Sequence, residues 1–125
     1  MTLRHAVIWT DHHSAQVLQF DDEQVVSRAV RSHKHPTGQH GSDVRTQHEF
    51  FAELCNALDG LGETLVTGSH TVLADLRHYL QKHRPQTAEH VVGYDIVDHL
   101  TEKQLVAHGR TFFAERTRLG QSPAP

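Results

Sequence analysis

Three short apolar runs open the chain, each only a few polar residues from the next: Ala6-Val7-Ile8-Trp9, Ala15-Gln16-Val17-Leu18-Gln19-Phe20 and Val25-Val26-Ser27-Arg28-Ala29-Val30. Asp11-His12-His13 and Asp21-Asp22-Glu23 separate them. Connections this short cannot carry parallel crossovers, so the runs predict an antiparallel meander. The first run is apolar without a break and is expected to be buried on both faces, while the third is expected to be more exposed.

Residues 32–45 show no apolar periodicity and are punctuated by Pro36, Gly38 and Gly41, which predicts a long loop. Thr46 and Glu49 stand at capping-box spacing ahead of Phe50, Phe51, Leu54, Cys55 and Leu58, so a helix is expected to start at Thr46 and to stop at Gly60 or Gly62. Thr64-Leu65-Val66-Thr67 reads as a strand ended by Gly68. A second helix, from about Thr71 to His83, buries Val72, Leu73, Leu76, Tyr79 and Leu80 and is closed by Pro85. Val91 to Ile96 reads as a strand. Thr101 and Gln104 cap a last helix that runs to about Arg116, with Leu105, Val106, Phe112 and Phe113 inward.

The predicted order is β-β-β-α-β-α-β-α. A meander feeding two right-handed crossovers gives an α/β domain with a mixed sheet and helices on both faces. Ribonuclease H-like domains have this order, and another small three-layer α/β fold is the alternative. With 125 residues, the chain has room for one sizeable core. A single domain over residues 1–119 is expected, followed by a flexible tail at 120–125.

Composition narrows the setting. No window approaches the roughly 18–20 apolar residues that cross a bilayer, and the N-terminal run lacks the core of an export signal. The one cysteine, Cys55, excludes an internal disulfide and a Cys-rich metal site, and its place in the apolar stripe makes it a core residue. These features predict a cytoplasmic protein.

The formal charge of -3 argues against a general nucleic-acid coat, but the charges are unevenly placed. Between Arg28 and His48 the fixed charges are Arg28, Arg31, Lys34 and Arg45 against Asp43 alone, with His33, His35, His40 and His48 among them. Such a segment can track a phosphate backbone. Arg28, Arg31, Lys34, His35 and Arg45 are therefore the candidate RNA-binding residues. Gly68-Ser69-His70-Thr71 is a candidate anion site, because a glycine after a strand leads into the free N–H groups of a helix start. Ser69 and Thr71 equally fit plain helix caps.

Asp11, Glu49 and Glu53 are the acids nearest a two-metal nuclease arrangement, but no acid follows the Thr67-Gly68 strand end. The 13 histidines follow no zinc-ligand spacing, so neither a metal nor another cofactor is expected.

Leu65-Val66-Thr67-Gly68-Ser69-His70-Thr71-Val72, Asp75-Leu76-Arg77-His78-Tyr79-Leu80, Val91-Val92-Gly93-Tyr94-Asp95 and Asp98-His99-Leu100-Thr101-Glu102-Lys103-Gln104-Leu105-Val106-Ala107 resemble the small bacterial translational machinery proteins. Those proteins are related to the middle domain of archaeal and eukaryotic peptide-chain release factors and to bacterial host-attachment proteins. The resemblance implies a ribonuclease H-derived fold and a translation-associated, ribosome- or RNA-binding role that is not enzymatic in itself. In the release-factor domain a loop carries a Gly-Gly-Gln tripeptide. Thr37-Gly38-Gln39 stands in the similar place here, with threonine for the first glycine. By resemblance, Gly38 and Gln39 are the catalytic candidates for an alternative reading, peptidyl-tRNA ester hydrolysis. A third reading is a self-associating or protein-binding scaffold, in which the exposed edge of the meander would support a homodimer.

Overall fold

A computed structural model describes residues 4–32 and 40–119. The meander consists of β1 (His5–Thr10), β2 (Ser14–Phe20) and β3 (Val25–Arg31). Next come α1 (His40–Leu58), β4 (Glu63–Gly68), α2 (His70–His83), a short α3 (Pro85–His90), β5 (Val91–Ile96) and α4 (Glu102–Arg118). The five strands form one sheet in the order β3-β2-β1-β4-β5. β1 pairs antiparallel with β2 and parallel with β4, which makes it the central strand of the mixed sheet. The remaining pairs are β2–β3, antiparallel, and β4–β5, parallel.

The period-2 alternation of each strand sorts its side chains between two cores. Ile8, Val17, Val30 and Val66 face α1 and α2, where they meet Phe50, Leu54, Leu76 and Leu80. Val7, Leu18, Phe20 and Leu65 face α4, where they meet Leu105, Val106 and Phe113. Helices thus cover both faces, as the order of the elements predicts. β1 is buried on both sides, whereas on β3 only Val30 is buried. Gly109 lets α4 lie close on the sheet, because a Cβ there would press on Phe20 and Val7.

Two expectations need correction. The first helix starts at His40 rather than Thr46, so the loop expected over 32–45 gives way to helix for its last six positions. Thr46 is not a cap. Glu49 instead accepts from Arg45 Nε at 3.1 Å, an i,i+4 pair within the helix. The second correction is α3, absent from the predicted order. Pro85 does close α2, but it also opens the next helix from the N-terminal position that proline tolerates best. The Thr101–Gln104 capping box forms in full.

At the far end of β1, His5 stacks on Phe113 with ring centroids 4.0 Å apart. Burial lowers the His5 pKa below its usual value, only partly countered by Glu63. The unfolded chain therefore binds this proton more readily than the folded one. His5 contributes stability that is fully present above pH ~6.5 and is lost as the pH falls below it. The drop in melting temperature between pH 7 and pH 5 is expected to be smaller in His5→Phe than in the wild type. Equal drops would show that His5 has no part in it.

Candidate nucleic-acid interface

The parallel strands β1, β4 and β5 all end on one rim of the sheet, the edge where open α/β folds hold their ligands. Strand register places Val30, Ala15, Thr10, Gly68 and Ile96 in one row across it. One residue further out lie Arg31 and its partner Ser14, then Asp11 and Ser69. Arg31 and the candidate anion turn thus lie on the same rim, three strand spacings or about 14 Å apart.

The β1–β2 turn is locked by Asp11, whose Oδ1 accepts from the backbone N–H groups of His13 and Ser14, both at 2.7 Å. Ser14 Oγ also donates to it. This carboxylate is committed to the turn. His12 Nε2 lies 3.1 Å from Asp75 Oδ2 and ties the turn to α2. The backbone N–H of Ser32 donates to the His13 carbonyl at 2.7 Å, so the pairing with β2 extends to Ser32.

On β4, Gly68 sits against β1 so closely that a Cβ would overlap the Thr10 carbonyl oxygen. Ser69 caps α2, its hydroxyl accepting from the Val72 N–H at 3.4 Å. The first amides of a helix have no acceptor within it, so those of His70 and Thr71 lie open at an exposed turn. Ser69 is thus the cap, as the alternative reading has it, and no anion is needed to explain the residue.

The candidate RNA-binding residues do not form one patch. Arg28 and Arg31 are both exposed, but three positions apart on a strand they point to opposite faces of the sheet. Arg28 is on the α1 side with Val30, and Arg31 is on the α4 side. Arg45 belongs to α1, with Glu49 as its partner. Lys34, His35, Gly38 and Gln39 lie outside the described residues. Among the described residues, no three His, Cys, Asp or Glu side chains come together as a metal-ligand set.

Sequence reading missed one cluster. His48 on α1 meets Tyr79 and His83 on α2, with centroids 5.6 and 6.3 Å away, beside a cleft of about 250 Å³ that Asp75 and Lys82 also line. The i,i+4 spacing of Tyr79 and His83 is the signal that could have found half of it.

No protein family matches the sequence, and no curated protein matches it. Solved structures do match. The Pelota protein of Thermoplasma acidophilum aligns over 88% of this chain with a TM-score of 0.63 at 15% identity. The fold is one that Pelota contains. Archaeoglobus fulgidus Pelota aligns over 97% of the chain (TM-score 0.59, 14% identity). An archaeal translation termination factor, aRF1, aligns over 94% (TM-score 0.59, 11% identity). The chain spans only 33%, 38% and 42% of those three proteins, so it corresponds to one part of each. Among the described residues, no helix is long and apolar enough to cross a membrane.

Proposed function

We propose that the chain is a translation-associated domain that binds RNA of the ribosome without catalysing a reaction of its own. The observation that carries this reading is the rim itself. Arg31 shares it with the open amides of α2, so a phosphate backbone can meet both. The likeness to a translation termination factor supplies the setting. Lys34 and His35, which follow Ser32 closely in the sequence, add a cation and an imidazole suited to following a backbone, while the overall charge of -3 keeps the rest of the surface from binding polyanions at random.

Binding built on phosphate contacts falls steeply with salt, by a slope of roughly 0.7–0.9 per contact in log–log form. The protein is expected to co-sediment with ribosomes at low salt and to be released at high salt. Lys34→Glu combined with His35→Ala should weaken the low-salt association at least severalfold and flatten the salt dependence by about one contact. No association of folded wild-type protein at either salt would sink the proposal.

A further inference from the structure

One edge of the sheet carries a second surface. β3 is one of the two terminal strands, β5 being the other. In its pairing with β2, the bonds Asp21 N–H to the Gln24 carbonyl and Ser32 N–H to the His13 carbonyl fix the alternation. Val26, Arg28 and Val30 turn their backbone groups towards β2. Those of Val25, Ser27, Ala29 and Arg31 point outward, where no strand among the described residues pairs with them. Val25 and Val26 are also two of the four exposed large hydrophobic residues among those described, at 40% and 52%. Val25 lines an open apolar groove of about 510 Å³ with Val106, Ala107 and Arg110 of α4. An edge of this kind is a template for another strand.

Its charge pattern says which strand fits. The edge is acidic where it begins, at Asp22 and Glu23, and basic where it ends, at Arg28 and Arg31. Laid antiparallel against itself, it sets the acidic turn of one copy beside the basic end of the other, twice, by symmetry. We propose that β3 pairs with β3 of a second copy across a two-fold axis at Ser27, joining the two sheets into one.

That register sets Val25 opposite Ala29 of the second copy, at the mouth of the α4 groove, and Glu23 near Arg31 of the second copy. It also separates the two Arg28 side chains, each facing Val26 of the other copy. A register centred on Arg28 would bring like charges directly together, which is unfavourable. The inference does not rest on RNA binding. Because Arg31 serves both surfaces, ribosome binding and self-pairing are expected to compete.

Sedimentation of the full chain after nuclease treatment, over a concentration series, reads the result directly. The wild type is expected to form a dimer. Glu23→Arg and Arg31→Glu should each shift it to monomer, and the two together should restore the dimer, with circular dichroism confirming that every variant is folded. Ser27→Cys adds a test of register. Directly opposed residues of such a pair lie about 5.5 Å apart between Cα atoms, within disulfide reach. Cys55 will not interfere, since it is buried and its thiol is pushed up to about 11. Mild oxidation should therefore yield a covalent dimer. A wild-type monomer at all concentrations would overturn the inference. So would a dimer untouched by both single charge reversals, or one lost on nuclease treatment. A dimer that Ser27→Cys fails to cross-link would refute the register.

Discussion

Gly68→Val is expected to destabilise the fold by roughly 4 kcal/mol, combining backbone strain with overpacking. Gly68 has a φ of 156°, which side-chain-bearing residues rarely adopt, and a Cβ would overlap the Thr10 carbonyl oxygen. Val72 and Leu73 close the space from the helix side. Relief would require β4 to move away from β1, the central strand. A loss of that size corresponds to about 10–20 °C in melting temperature for a domain of this length. The rim would be disturbed too, since Gly68 also accepts the Val97 N–H that holds the exit of β5. A thermal melt decides the matter, and a change below about 1 kcal/mol would mean that the close approach is not a constraint.

Phe113→Ala should cost about 3–5 kcal/mol, the usual range for deleting a buried aromatic side chain. Phe113 is 4% exposed and packs with Phe20, Phe112 and the His5 ring. It joins α4 to the start of β1, and Gly109 one helical turn earlier leaves no bulk to fill the space. Urea unfolding would show a lower midpoint. The acid sensitivity tied to His5 should shrink as well, because an imidazole no longer covered by the phenyl ring regains water. A midpoint within error of the wild type would contradict the role given to α4.

The strands were legible in the sequence because their connections are short and their apolar runs compact. The exposure of β3 followed from the polar residues interleaved in it. The start of α1 was not legible. His40-Gly41-Ser42-Asp43 has poor helix propensity and no apolar stripe, while Thr46 and Glu49 imitate a cap. Propensity read residue by residue cannot see that such a stretch serves as the first turn of a helix held in place by the apolar residues that follow it. α3 escaped for the opposite reason. Pro85 was a clear stop for α2, and its second use as a helix opener depends on Thr87 being buried, where its hydroxyl donates to Asp59 at 2.8 Å. Of the candidate site, the anion turn and Arg31 are where the strand pattern puts them. The opposition of Arg28 to Arg31 was implicit in their odd spacing, but which face each takes depends on what α1 and α4 cover.

The two unlike edges of β1 also bear on how the chain reaches this state. Its antiparallel partner β2 follows after one turn, whereas its parallel partner β4 arrives only after α1, with His5 opposite Glu63. Local pairing closes quickly, and distant parallel pairing is slow because a long loop must first be ordered. During synthesis the meander can therefore assemble while the other edge of β1 is still bare, with Val7 and Ile8 exposed to water on its two faces. The nascent chain is most prone to aggregate in that interval, which ends when β4 leaves the ribosome and docks.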